Sequence, residues 1–290
     1  MREYVIFTDS SCDLPAQMAQ DLELTVIPLF VTVGGNTYEN DLAGKALPFD
    51  TCYALLRQGQ VATTSAINVT QFIEAMEPVL QAGKDILYLG FSSALSGTYS
   101  AGAVAMEELA PRYPEAKLYA VDTRSASLGQ GMLIHLTVQQ KRAGKTIEEA
   151  RDYAEAQKFH QCHWFTVDDL KFLHRGGRVS ASSAILGTML GIKPVLHMDD
   201  EGRLIFVDKV RSRRNSLKYL AQKMQETAIE PENQTIFISH GDCIKDAELL
   251  ASMIRERMPV KDIIINYVGP VIGSHSGPGT IALFFLGTMR

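Results

Sequence analysis

The chain has 290 residues, 46% of them apolar and 21% charged, the balance of a folded globular protein and not of a disordered one. Its 28 Lys and Arg against 33 Asp and Glu leave a formal charge of −5, so no global basic field draws in nucleic acid. At roughly 150 residues per domain the length suggests two domains, and the four cysteines, Cys12, Cys52, Cys162 and Cys243, make no C-x-x-C pair that would signal zinc, redox chemistry or a disulfide framework.

Tyr4 to Phe7 is a short apolar run ending in Thr8-Asp9-Ser10-Ser11, and Met18 and Leu22 follow at helical spacing. The N-terminus has no long apolar stretch with a small-residue cleavage site, so a cytoplasmic protein is expected. Val26 to Val33 reads as one β-run ending in a Gly34-Gly35 turn. Phe72, Met76, Val79 and Leu80 mark a helix face, Ile86 to Phe91 a strand, and Val104 to Leu109 a helix opened near Ser96. Leu118 to Val121 and Leu128 to Val138 repeat the strand and the helix. This alternation predicts a parallel sheet with helices on its faces.

A domain boundary is expected near Lys158, dividing residues 1–158 from 159–290. Beyond it, strands are predicted at Pro194–His197, Leu204–Val207, Thr235–Ser239, Ile263–Val268 and Ile281–Leu286, and helices at Ser212–Met224 and Lys245–Met258. The Ile281 run is far shorter than the ~20 residues that cross a bilayer, so it reads as a buried strand. The second half is therefore a mixed α/β unit.

Three polar clusters fall where strands should end, the place at which open α/β sheets bind ligands. Thr63-Thr64-Ser65 precedes a helix whose predicted cap is Asn68, and its simplest reading is a capping turn. Ser92 to Tyr99 runs from a strand into a helix, an arrangement that offers backbone N–H groups to a carboxylate or phosphate. Ser96 lacks both flanking glycines of a G-x-S-x-G nucleophile elbow. Arg175-Gly176-Gly177-Arg178 and Gly273-Ser274-His275-Ser276-Gly277-Pro278-Gly279 place glycines beside an Arg and a His. They read either as tight turns or as an anion site. Neither matches a nucleotide-binding glycine motif, and His275 has no companion at metal-ligand spacing. Arg211-Ser212-Arg213-Arg214 reads as the solvated start of a helix.

Thr8-Asp9-Ser10, Thr64-Ser65, Leu95-Ser96-Gly97-Thr98, Arg175-Gly176-Gly177-Arg178 and His275-Ser276-Gly277-Pro278-Gly279, in this order, resemble the DegV family over essentially the whole chain. The resemblance implies a two-domain α/β protein holding one long-chain fatty acid between its domains. In many bacteria such proteins are the acyl-binding subunit of a fatty acid kinase, presenting the carboxylate to a separate ATP-binding kinase subunit. Carried over by position, the carboxylate ligands fall on Thr64 and Ser96, and the residues near the headgroup or transfer step on Arg178 and His275. Many members follow the Thr-Ser pair with Gln-Pro where this chain has Ala66-Ile67.

Burying about twelve methylenes at roughly 0.8 kcal/mol each offers on the order of 10 kcal/mol before the costs of binding. The apolar segment Ile185, Leu186, Met189, Leu190 and Ile192 is a candidate tunnel wall, with plain core packing as the alternative. No cofactor, metal or catalytic residue of its own is expected. The competing reading is a serine hydrolase using Ser96 with His275 as base, which requires the two side chains to be bonded to each other.

Overall fold

The structure, a computed structural model, describes residues 2–179, 191–288 and 290. Strand β1 (Tyr4–Asp9) is followed by a 3-10 turn over Ser10–Cys12 and a short helix α1 (Ala16–Asp21). The run from Val26 to Val33 is two strands and not one, β2 (Thr25–Ile27) and β3 (Phe30–Val33). Pro28 between them has no N–H to give to a ladder. The two strands join different sheets, β2 pairing with β1 and β3 with β4 (Asn36–Glu39). Gly34 and Gly35 both take positive φ, as a two-residue hairpin turn demands.

Helix α2 (Phe49–Arg57), strand β5 (Thr63–Ser65), helix α3 (Val69–Gln81), strand β6 (Asp85–Gly90), helix α4 (Thr98–Leu109), strand β7 (Leu118–Asp122) and helices α5 (Leu128–Arg142) and α6 (Ile147–Gln157) follow. Strands β2, β1, β6 and β7, in that order, form an all-parallel sheet. Every residue of β6 is buried, as befits a central strand covered on both faces. Leu87 and Leu89 share a core with Leu133 and Ile134 of α5 and Ala150 of α6, whereas Ile86 and Tyr88 share another with Phe72 of α3 and Ala105 of α4. Helices thus lie on both faces, as the alternating pattern predicts.

Thr63-Thr64-Ser65 is a strand and not a capping turn. It adds to the edge of β3, Val31 opposite Thr64, and completes a three-stranded antiparallel sheet β4-β3-β5. The cap of α3 is Asn68, whose side chain accepts from Gln71 N while the Gln71 side chain accepts from Asn68 N.

The remaining elements are β8 (Gln161–Thr166), α7 (Lys171–Arg175), β9 (Ile192–Met198), β10 (Leu204–Arg211), α8 (Arg213–Thr227), β11 (Thr235–His240), α9 (Ile244–Arg255), β12 (Asp262–Tyr267), α10 (Pro270–Ser276) and β13 (Ile281–Leu286). Their six strands form a mixed sheet, β10-β9-β8-β13-β11-β12, in which only β11 and β12 are parallel neighbours. Side-chain alternation along β13 divides its faces. Ile281, Leu283 and Phe285 share a core with α8 and α9, and Ala282 and Phe284 join the core that contains α5.

Ser212 caps α8, and Arg213 pairs with Asp246 at 2.9 Å, so the basic run there is a helix start as expected. The candidate tunnel residues Ile185, Leu186, Met189 and Leu190 lie outside the described residues. Ile192 opens β9 and is half-buried.

Candidate functional site

In the parallel sheet the chain steps from β1 outward to β2 on one side and from β6 outward to β7 on the other. The gap between β1 and β6 is the switch point at which such sheets bind ligands. The loop after β6, Phe91–Gly97, and the turn before α5 open there onto a cavity of about 260 Å³. Its walls are mainly apolar, among them Leu29, Phe91, Phe165, Met198, Val271 and Phe284. Thr64, Ser96, Arg178 and His275 all line it, brought together from four separate parts of the sequence.

Thr64 is placed by β5 and His275 by α10, and Thr64 Oγ1 lies 2.8 Å from His275 Nε2. Burial, with the guanidinium groups of Arg178 and Arg175 adding to it, pushes the His275 imidazole down to about 4, so it is neutral at pH 7. Its Nδ1 faces Gly176 so closely that a Cβ there would collide with the ring. Gly177, at φ 69°, ends α7 in the left-handed conformation. Gly177 N bonds to His174 O and Arg178 N to Leu173 O, the paired bonds of a Schellman turn.

That turn sends Arg178 back across the site. Its Nε and Nη2 both donate to Leu95 O, at 3.1 and 3.0 Å, and its Nη1 donates to Gly176 O. The Gly-Gly-Arg sequence therefore has three separate jobs: close approach to His275, a left-handed helix end, and a cation tied to the Ser96 loop. Ser96 Oγ accepts from Thr98 N at 3.2 Å and lies 2.9 Å from Thr98 Oγ1, so it is tied to the first residue of α4 while lining the cavity.

Ser276 extends the cluster. It lines the cavity beside His275, and its buried Oγ has no hydrogen-bond partner among the described residues. A buried hydroxyl without a partner is costly, and a ligand oxygen would satisfy it. The mouth of the cavity thus gathers hydroxyls, a neutral imidazole and a guanidinium, a set suited to an anionic oxygen group.

A family model described as "Uncharacterised protein, DegV family" matches residues 3–288. The chain is 47% identical over 290 residues to a DegV domain-containing protein of Clostridium perfringens, covering 100% of this chain and 99% of the relative. The chain belongs to the DegV family. Among solved structures, a DegV lipid-binding protein from Thermotoga maritima superposes with a TM-score of 0.87 at 27% identity, covering 99% of both chains. A fatty-acid-binding DegV family protein from Streptococcus agalactiae gives 0.86 at 26% identity, covering 100% of both.

Ala66 lines the cavity and Ile67 is fully buried, so the Ala66-Ile67 loop after β5 packs into the site. Sequence reasoning missed Ser276 as a site residue in its own right, and it missed Ser127, Ser239 and His163, which also line the cavity. Burial holds His163 neutral, far below its ordinary range, between Gln161 O at 3.0 Å and Ser125 Oγ at 2.7 Å. Among the described residues no group of three or more His, Cys, Asp or Glu is placed to hold a metal ion. No helix among them is long and apolar enough to cross a membrane.

Proposed function

We propose that this DegV protein binds one long-chain fatty acid, with the carboxylate at Thr64 and Ser96 and the alkyl tail in the cavity between residues 1–158 and 159–290. The observation that carries the proposal is the cavity itself: apolar walls contributed from both sides of residue 158, with hydroxyls, His275 and Arg178 converging at one end. Apolar enclosure supplies most of the affinity, and a few placed polar groups fix orientation. Ser276 donates to the same headgroup, and Arg178 supplies its countercharge while bracing the Ser96 loop. The binding functions printed for solved relatives, such as the fatty-acid-binding protein of Streptococcus agalactiae, support the same assignment.

In this proposal the protein acts in the cytoplasm and presents the carboxylate to a separate ATP-dependent kinase subunit, which forms the acyl-phosphate. The family resemblance supports that step. The protein contributes binding and orientation and no nucleophile. The hydrolase alternative needs Ser96 bonded to His275, but Ser96 Oγ pairs with Thr98 and His275 Nε2 with Thr64.

Mass spectrometry of an organic extract of the purified native protein, followed by calorimetric titration after lipid removal, tests the proposal. About one long-chain fatty acid per chain and renewed binding are expected. Lipid-free protein that also fails to take up long-chain acids would refute it.

A further inference from the structure

One wall of the cavity carries a hydroxyl relay for which a plain alkyl chain has no use. Ser127 stands between β7 and α5 at φ 55° and ψ −145°, a backbone conformation that side chains other than glycine's rarely take. Its Oγ lies 2.5 Å from Asp13 Oδ2 and 3.0 Å from Ser239 Oγ. Asp13 is buried behind the wall, and Ser127 and Ser239 line the cavity.

The sheet register places this relay along the tail and away from the headgroup. Thr280 bonds to Gly277 O at the end of α10, on the headgroup side. Two residues further along β13, Ala282 is opposite Ser239 on one side and Phe165 on the other. Two residues further still, Phe284 is opposite His163. Ser239 therefore sits about 7 Å deeper than Thr280, with another such step of cavity beyond it.

A chain of two hydroxyls ending on a carboxyl always leaves one end unused. Ser127 is the donor in both contacts and has one proton to give. With Asp13 ionised that proton goes to Asp13, and Ser239 is left with both its O–H and an unused lone pair. With Asp13 protonated, Asp13 donates to Ser127 and Ser127 to Ser239, whose own O–H is still unused. A methylene offers that O–H no acceptor and a carbonyl only accepts from it. A hydroxyl accepts from Ser239 and also donates to the lone pair that Ser127 leaves bare. Anchoring α5 to the turn after β1 accounts for the Ser127–Asp13 bond but not for a second hydroxyl set on its cavity side.

We infer that Ser239 and Ser127 form a second polar subsite, which makes the protein prefer acyl chains bearing a hydroxyl group part-way along their length. The inference rests on the fatty-acid assignment above and adds a substrate class to it.

The test is calorimetric titration of lipid-free protein with octadecanoic acid and with a positional series of monohydroxy-octadecanoic acids. One internal position should bind about fivefold tighter than isomers hydroxylated next to the carboxylate or at the methyl end, the worth of one net hydrogen bond. Ser239→Ala should bring that isomer level with the others. Ser127→Gly, which keeps the left-handed backbone and removes the hydroxyl, should do the same in a variant whose circular dichroism matches wild type. No favoured position, or a favoured position undiminished in both folded variants, would overturn the subsite while leaving binding of the plain acid intact. If wild type bound neither the plain nor the hydroxylated acids, the fatty-acid assignment itself would fall and the subsite with it.

Discussion

Replacing Arg178 by Ala should weaken fatty-acid binding and not merely a later transfer step. The guanidinium is half-buried and places two donors on the carbonyl of Leu95, the residue before Ser96, while a third nitrogen bonds to Gly176 O. Truncation leaves the Leu95 carbonyl short of its donors, frees the loop that aims Ser96, and removes the positive charge nearest the headgroup. A hydrogen bond from a charged group contributes about 1.5–3 kcal/mol. An ion pair at a partly exposed site adds up to about 4 kcal/mol of attraction, much of it offset by the desolvation of both groups. A net loss of about 2–3 kcal/mol corresponds to roughly 30- to 150-fold in Kd. The assay is calorimetric titration of lipid-free wild type, Arg178→Ala and Arg178→Lys with one long-chain acid. The Lys variant keeps the charge but not the fork that holds Leu95, so it should recover only part of the loss. A Kd within twofold of wild type in a folded Arg178→Ala variant would refute the role. Full recovery by Lys would show that the charge acts alone, without the loop contact.

Thr64→Val and Ser96→Ala should each cost about 1.5–3 kcal/mol of fatty-acid affinity by removing a hydroxyl from a charged group, read in the same titration; unchanged Kd in both would exclude them as ligands. Gly129→Ala should lower the melting temperature in scanning calorimetry, because a Cβ there would sit 2.5 Å from His163 Nε2 and 2.8 Å from Phe284 Cδ1, an overpacking that typically costs about 1–3 kcal/mol. Burial pushes the Asp13 carboxyl up to about 7, so its folded-state contribution is full below about pH 4 and is lost as pH rises through 7. His275 and His240, pushed down to about 4, work the other way: their contribution is present above about pH 6.5 and is lost as pH falls through 4. The stability of wild type minus that of Asp13→Asn should therefore fall between pH 4 and 8 in denaturant titrations, and a difference constant with pH would contradict the burial argument.

The elements legible in the sequence are those whose burial is written into a run or a period. Ile281–Leu286 and Asp85–Gly90 are apolar nearly throughout because both their faces are covered, and Asn68 announces α3 through its capping box. Thr63–Ser65 is different: nothing in three small polar residues specifies a strand, and the ladder forms because β3 offers an open edge. Residues 273–279 read as turns on account of their glycines, yet α10 occupies Pro270–Ser276. Pro270 at its first position was the available signal. Gly273 is there for close packing, since a Cβ would lie 2.5 Å from Tyr53 Oη. Thr64, Ser96, Arg178 and His275 were locatable only as parts of a motif set spanning the chain. Ser127 and Ser239 belong to no run and no period, and they meet only when α5 packs on the sheet that holds β11.

The pairing seen at the mouth of the cavity also bears on what His275 does there. For Thr64 to give its one proton to a carboxylate, it must accept from the imidazole, which requires the proton on Nε2 and leaves Nδ1 bare against Gly176. With its affinity for a proton lowered by burial and by Arg178 and Arg175, the ring is a weak base at neutral pH and a good fixed donor. In the proposed complex such a histidine would aim the Thr64 hydroxyl at the carboxylate without acting as a base. Burial, with those two cations adding to it, keeps the ring neutral, and in the proposed complex the same cations would attract the carboxylate toward which the ring orients Thr64.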